Sequence, residues 1–493
     1  MAIRSAAGVV VGIDAVPVEV EVDLLRRLPA VCIVGLAASA VKESGERIRS
    51  AVEAIGLEFP RKRIVVNLAP ADLRKEGTGL DLPIALGILA ADEHVPAAAL
   101  ARVLAVGELA LSGELRPVRG VLALALLARS RGLTLVVPAA SAPTAALVPG
   151  VEVVGARTLG EVVSWLRGER TLEPLAPNTA VAAPSGVDLA DVRGQEVARR
   201  ALEITAAGAH HLLMLGPPGC GKSMLARRLP TILPPMDFAE ALEVSRVHDA
   251  AGLLGPEALL AERPFRAPHH SVTTAGMVGD QTLRPGEVSL AHHGVLFLDE
   301  APEFGRATLE VLRQPLEDGT LVLSRARGTL TLPAAVSLVM AANTCRCSAR
   351  NGCRCPPGEK ARYLARLSGP ILDRIDLAVE LAPVPSQTLV HAPPGESSAR
   401  VRERVAEARR LQRRRGQTVA NGRLGPQELE RWAAPSADAR EVLVHGVEAH
   451  GLSGRGLARV LRVARTVADL DGVERISEQH VAEAFVYRPP PGL

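Results

Sequence analysis

Lysine is nearly missing from this chain. Five copies, Lys42, Lys62, Lys75, Lys222 and Lys360, stand against 52 arginines. Guanidinium groups therefore carry almost all the positive charge, and each surviving lysine marks a position that needs a reason. Aromatic residues make up only 2% of the sequence. The core must then be aliphatic, and stacking of bases on aromatic platforms is excluded as the main mode of nucleic-acid contact. Long apolar runs are absent as well. The longest clean one, 121–128, is about eight residues, far short of the roughly 20 that span a bilayer. The first residues alternate like a strand, and Gly12 and Asp14 interrupt them, so they lack the apolar core of a signal peptide. With six cysteines in 493 residues, a secreted disulfide scaffold is excluded too. The expectation is a cytoplasmic protein with no membrane partner. A net charge of +3 is too small to imply a polyanionic partner by itself.

What is present is ordinary globular material, 47% hydrophobic and 23% charged, in a length that fits two to four domains. Residues 1–168 alternate strand-like runs (16–22, 63–68, 134–137) with helical ones (40–55, 82–91, 121–131) and read as an α/β domain. Residues 169–187 are rich in Pro, Ala, Ser and Thr and read as a linker. Residues 188–385 carry the chemically informative motifs, and 386–493 read as a succession of helices.

The run Gly216-Pro217-Pro218-Gly219-Cys220-Gly221-Lys222-Ser223 fits the phosphate-binding loop G-x-x-x-x-G-K-[ST]. Its glycines let successive backbone N–H groups turn toward phosphate oxygens. Lys222 explains its own survival, because a compact ammonium on a flexible stem reaches the β/γ-phosphates where a broad guanidinium does so poorly. Ser223 offers a hydroxyl to Mg²⁺. The context agrees, with a short apolar strand at 211–215 before the loop and a helix after it. Downstream, the apolar strand 294–298 ends in Asp299-Glu300. Asp299 is expected to hold Mg²⁺, and Glu300 to orient or deprotonate the attacking water. A second apolar strand, 336–342, ends at Asn343, whose amide suits the γ-phosphate or the water. Arg374 is a candidate for stabilising transition-state charge in a neighbouring subunit, and Arg455, at the start of a helix in the last domain, is a candidate to close on the phosphates from the lid. A surface ion pair with Asp373 or Asp376 is the ordinary alternative for Arg374.

Long motifs then carry a family resemblance. Residues 188–195 (DLADVRGQ), the loop GPPGCGKS, 263–270 (RPFRAPHH), 284–300 (RPGEVSLAHHGVLFLDE) and 367–376 (LSGPILDRID) resemble the ComM/YifB family of magnesium-chelatase-like AAA+ ATPases. The stretches 12–24 and 67–77 extend the likeness over essentially the whole chain. The resemblance implies ATP and Mg²⁺ as cofactors, a hexameric homo-oligomeric ring, and DNA as partner. It also implies branch-migration helicase activity in recombination of incoming DNA. It makes Asn343 the first sensor, Arg374 the arginine finger and Arg455 the second sensor, with Arg366, Arg459 and Arg462 close by. A magnesium-chelatase-type motor subunit remodelling a protein partner is the competing reading.

The leading domain is similar to the proteolytic domain of Lon, a ribosomal protein S5 domain 2-like α/β fold. The implied architecture is therefore that domain, a P-loop AAA+ core and a C-terminal helical lid. Where the Lon pattern has its serine and lysine, this chain has Gly79 and Leu122. An activated hydroxyl beside a desolvated amine is needed for that chemistry, so no peptidase activity is expected.

Cys345, Cys347, Cys353 and Cys355 form C-x-C-x₅-C-x-C. Four thiolates suit a closed structural Zn²⁺ site. Redox-active thiols and an iron–sulfur cluster are the other readings. Residues 319–332 read as a hairpin with Arg325 and Arg327 at its tip, placed to meet DNA phosphates. Arg409, Arg410, Arg413, Arg414 and Arg415 form a second basic cluster, which a solvated helix face explains equally well.

Overall fold

The structure, a computed structural model, describes residues 2–488 except 37, 39–40, 42, 76, 176–185, 256–258, 281–282, 326–327, 346, 348–354, 357 and 368. The chain divides into two compact units. The first holds Met1–Ala182 together with Phe238–Ala261; the second holds Ala183–Asp237 and Glu262–Leu493.

The first unit is built on a seven-stranded mixed sheet. Its strands are β1 (Ile3–Val11), β2 (Asp14–Leu25), β3 (Ala30–Val34), β4 (Arg63–Ala69), β5 (Val103–Ala105), β8 (Thr134–Pro138) and β9 (Val153–Ala156), in the order β3-β4-β2-β1-β5-β8-β9. The short ribbon β6 (Glu108–Leu109) and β7 (Leu115–Arg116) stands apart. β1 and β2 pair antiparallel from Ile3↔Val22 to Val11↔Asp14, so Gly12 and Ile13 alone turn the chain, with Gly12 at φ 65°. In β2, Val18, Val20 and Val22 are buried while Glu19 is exposed and Glu21 half-buried. This is the period-two pattern of a sheet with one face against a core. The helix Asp81–Ala91 is apolar nearly all round and is buried almost throughout. Its one acid is held at the N-terminus: Asp81 accepts from Ser44 Oγ at 2.5 Å and from Arg47 Nε at 2.9 Å. The helix Val121–Arg131 begins after Gly120 (φ 70°) and ends at Gly132 (φ 63°). Leu122, in its first turn, is fully buried.

The segment Phe238–Ala261 completes this unit although it follows the phosphate loop in sequence. Its helix, Phe238–Ala251, packs against Val121–Arg131, and Leu242, Leu254 and Leu259 join the apolar cluster there. Asp249 accepts from the backbone N–H groups of Gly120 (3.2 Å) and Leu122 (2.8 Å). These are first-turn donors that a helix cannot satisfy internally. Burial pushes the Asp249 carboxyl up to about 6, against the pull of those two N–H groups.

The second unit contains an all-parallel five-stranded sheet in the order β11-β12-β15-β10-β16. Its strands are β10 (Leu212–Leu215), β11 (Phe265–Arg266), β12 (Val295–Leu298), β15 (Ser337–Ala342) and β16 (Leu377–Glu380). β10, β12 and β15 are buried at every position, as expected of parallel strands covered on both faces. Their continuous apolar runs (LLML, VLFL, SLVMAA) are what made them legible. β13 (Thr320–Arg325) and β14 (Gly328–Pro333) form the expected hairpin. The C-terminal hundred residues are helical, with Ser398–Arg414, Pro426–Trp432, Ala437–Ala449, Gly454–Leu470 and Glu478–Val486. A buried polar chain ties them to the sheet. His210 Nδ1 lies 3.1 Å from Asp376 Oδ2, His210 Nε2 lies 2.8 Å from Thr466 Oγ1, and Asn421 Nδ2 donates to Asp469 at 2.7 Å. No described helix is long and apolar enough to cross a membrane.

Candidate nucleotide site

Three parallel strands deliver the candidate residues to one edge of the second unit's sheet. Parallel strands pointing the same way put their C-terminal ends together, and ligands of open α/β sheets bind there. β10 runs out at Leu215 and the chain turns through Gly216–Gly221 into the helix Lys222–Ile232. Gly219 and Gly221 take φ of 80° and 98°, values that side chains resist. Gly216 is needed for another reason: a Cβ there would meet the Leu381 carbonyl oxygen at 2.6 Å.

Lys222 is buried, 8% exposed, and its Nζ donates to the carbonyls of Gly216 (2.7 Å) and Pro217 (3.0 Å) and to Asn343 Oδ1 (3.1 Å). Asn343 stands just past β15. Ser223 Oγ donates to Asp299 Oδ2 at 2.7 Å, and Asp299 and Glu300 stand exposed just past β12. The structure thus pairs Lys222 with Asn343 and its neighbour Ser223 with Asp299, two hydrogen-bonded pairs held by adjacent residues of the loop. Glu300 adjoins Asp299 in the left-handed region, at φ 51° and ψ 45°. A non-glycine residue held so costs on the order of 1–3 kcal/mol, and such outliers gather at functional sites. Ser223 and Asp299 supply a hydroxyl and a carboxylate side by side, the oxygen donors that suit Mg²⁺.

Beside the loop lies a cavity of about 440 Å³, lined among others by Asp191, Gln195, Pro217, Gly219 and Leu389. Gln195, itself at φ 58°, donates through Nε2 to the carbonyls of Cys220 (3.1 Å) and Ala382 (2.7 Å). The side chain so fastens the phosphate loop to the segment after β16. Sequence reading used Gln195 only as part of a family motif. No local pattern announces a cavity assembled from segments so far apart.

Arg374 and Arg455 lie elsewhere. Both line a cavity of about 770 Å³ with Asp373, Asp376, Arg459 and Arg462, and no phosphate-loop residue takes part in it. Arg374 pairs with Glu317 at 2.5 Å and donates to the Arg313 and Pro370 carbonyls. Among the neighbouring arginines, Arg459 donates to the Ile375 carbonyl at 3.2 Å, Arg462 to Leu424 at 2.6 Å, and Arg366 to Glu303 at 2.9 Å. Arg455 is exposed. His211, on the same cavity, is buried; that burial pushes its imidazole down to about 4, against the attraction of Asp376.

Cys345, Cys347 and Cys355 converge, their sulfur atoms all within 4.8 Å of one another and the first two 3.2 Å apart. Cys353 and Arg327 lie outside the described residues, as does the side chain of Arg325. In the second basic cluster, Arg409 donates to the Ala206 carbonyl at 3.0 Å, Arg410 pairs with Glu407 and Arg415 with Asp469. Arg409 and Arg415 are thus partly buried in the fold, while Arg410, Arg413 and Arg414 are exposed.

Comparison with known proteins finds three family matches along the chain. The family described as magnesium chelatase, subunit ChlI, matches residues 188–389. The descriptions subunit ChlI of Mg-chelatase and magnesium chelatase, subunit ChlI C-terminal, match 20–141 and 395–488. YifB of Salmonella typhimurium is 45% identical over 483 residues, covering 97% of this chain and 95% of its own. YifB of Escherichia coli is 45% identical over 487 residues with the same coverage. The competence protein ComM of Haemophilus influenzae is 44% identical over 492 residues, 97% of this chain and 95% of its own.

Proposed function

Because the chain belongs to the ComM/YifB family of magnesium-chelatase-like AAA+ ATPases, we propose that it is an ATP-driven ring motor acting on branched DNA. The observation that carries the ATPase half is the convergence of Lys222, Ser223, Asp299 and Asn343 at the ends of three parallel strands. In this reading the backbone of Gly216–Ser223 cradles the phosphates and Lys222 neutralises the β/γ-oxygens. Ser223 and Asp299 hold Mg²⁺, which when bound neutralises charge developing on the transferred phosphoryl group. Glu300 orients the attacking water and accepts its proton. Asn343 fixes the γ-phosphate or that water. The cavity beside Gln195 takes the nucleoside.

Arg374 and Arg455 share a cavity without any phosphate-loop residue, which supports a role at the nucleotide of an adjacent subunit. A nucleotide completed by a neighbour's arginines is the logic of a closed ring, with six subunits as the family resemblance implies. The DNA half rests on the relationship to a competence protein and on the arginine-tipped hairpin β13–β14. In this reading the motor is a cytoplasmic branch-migration helicase serving recombination of incoming DNA, as in natural transformation. Its first unit is a Lon-like domain kept for structure or docking rather than peptide cleavage, and the C-terminal helices are the lid. The three converging sulfur atoms of Cys345, Cys347 and Cys355, the first only two residues past Asn343, support a structural Zn²⁺ site.

A magnesium-chelatase-type motor that remodels a protein partner is the second reading, favoured by the three chelatase-subunit matches. One experiment separates them: ATP turnover by the purified protein alone, with single-stranded or forked DNA, and with a synthetic four-way junction. Several-fold stimulation by branched DNA with movement of the junction supports the DNA motor. Turnover that ignores every DNA form supports the second reading.

A further inference from the structure

We infer that Cys345, Cys347 and Cys355 bind Zn²⁺ and that this metal site holds Asn343 in its working position, making ATP turnover metal-dependent. The inference rests on the ATPase reading for its kinetic arm only.

The donor set fits the ion. Thiolate sulfur is the soft ligand that selects zinc among available divalent metals. Zn–S bonds of about 2.3 Å in a tetrahedron place sulfur atoms roughly 3.8 Å apart. The three sulfur atoms here lie within 4.8 Å of one another, so ligation needs only small adjustment. Burial is graded across the group: Cys345 is buried, Cys355 intermediate and Cys347 exposed. The site is thus anchored on the inside and reachable by ions and chelators from the outside.

The placement links the site to the chemistry. β15 runs through the middle of the sheet to Ala342 and stops. Asn343 follows at once, accepting from Lys222 Nζ, and Cys345 is only two residues further. On the far side of the cluster, the helix Glu359–Leu364 starts four residues after Cys355 and carries Tyr363. Tyr363 is buried. Along the chain the cysteine group is therefore bracketed by Asn343 on one side and by this helix on the other. Zinc held by Cys345 and Cys355 would cross-link the chain just after β15 to the chain just before the helix Glu359–Leu364, and so fix both flanks. Asn343 acts here as a residue positioned by the metal loop, and the Cys ligands touch no substrate.

The test uses the full-length protein, purified reduced and without chelator, with total zinc measured by mass spectrometry. About one zinc per chain is expected. Cys345→Ser combined with Cys347→Ser should lose it, and Cys32→Ser should keep it. The double variant should bind a fluorescent ATP analogue within about twofold of wild type, because the loop Gly216–Ser223 is untouched. Its kcat should fall at least tenfold with KM nearly unchanged, and trypsin should cut between Asn343 and Glu359 faster. Asn343→Ala should lose turnover yet retain its zinc and its resistance to trypsin. Absence of zinc from the wild-type protein overturns the inference, as does loss of zinc with kcat and cleavage unaltered. A zinc-loaded wild type with no ATP turnover would instead sink the ATPase reading, leaving metal content and cleavage to judge the site.

Discussion

The Leu122 amide donates to the Asp249 carboxylate at 2.8 Å, joining the first helical turn of Val121–Arg131 to a helix encoded beyond the phosphate loop. That buried leucine points into the core, and its backbone N–H receives a carboxylate. Two ionisable groups, Asp249 in one unit and His211 in the other, are pushed in directions that make the units respond oppositely to acid.

Asp249 titrates in the fold at about 6, above its ordinary 3.8. The folded first unit therefore binds the proton more tightly than the unfolded chain. Its stability is greatest below about 4 and declines as pH rises through 6, by up to about 3 kcal/mol. His211 behaves the other way. Its folded value is about 4 against an ordinary 6.5, so the second unit loses up to about 3 kcal/mol as pH falls from 6.5 toward 4. Hydrogen exchange at pH 7.5, 6.0 and 5.0, corrected for intrinsic rates, should show protection rising in the first unit and falling in the second. Asp249→Asn should flatten the first response. Equal and parallel changes in both units would contradict the assignment.

Glu300→Gln keeps the shape of the site and removes the base. Nucleotide binding should persist while turnover drops by about 10²–10⁴. Lys222→Ala should lose binding itself, because the ammonium meets the phosphates directly. Equilibrium titration with a labelled nucleotide, run beside phosphate release, distinguishes the two. A Glu300→Gln protein that turns over normally would remove Glu300 from the mechanism.

Arg374→Ala and Arg455→Ala should each reduce turnover, by on the order of 10³ or more for a true arginine finger. If both act on a neighbour's nucleotide, mixing either variant with Glu300→Gln subunits should restore some turnover, since a mixed interface can hold one intact glutamate and one intact arginine. Phosphate release across a series of mixing ratios is the measurement. Rescue at no ratio would argue for action within one subunit.

Replacing Arg325 and Arg327 with Ala should weaken binding of all DNA sequences alike, because phosphate contacts carry no base information. For two lost contacts the slope of log affinity against log salt should shrink by about 1.4–1.8. Basal turnover should survive and junction movement should not. Normal junction movement by the double variant would shift attention to Arg410, Arg413 and Arg414, the exposed members of the second basic cluster.

Legibility from sequence followed the range of the forces involved. The phosphate loop, the strand ending in Asp299-Glu300 and the strand ending at Asn343 are local patterns: a glycine spacing, or an apolar run with a polar stop. The helical character of 386–493 was equally readable from periodicity, and the structure builds five helices of seven residues or more there. Lys75 was not. It is fully buried and donates to the Pro70 carbonyl, with its amine pushed down by burial, yet nothing around it in sequence sets it apart from a surface lysine. Asp249 escaped for the same reason, since its partners lie far upstream at Gly120 and Leu122. The shared cavity of Arg374 and Arg455 depends on how a C-terminal helix meets a loop before β16, which no linear spacing encodes.

The return of Phe238–Ala261 to the first unit fixes an order of events during synthesis. When the ribosome reaches the linker, the first unit still lacks a helix, and the amides of Gly120 and Leu122 still lack their acceptor. The whole phosphate loop must be translated before that helix emerges. The first module can therefore close only after part of the second has been made, and no single cut in the gene separates them. Exchanging either module alone would mean exchanging two separated stretches of coding sequence together.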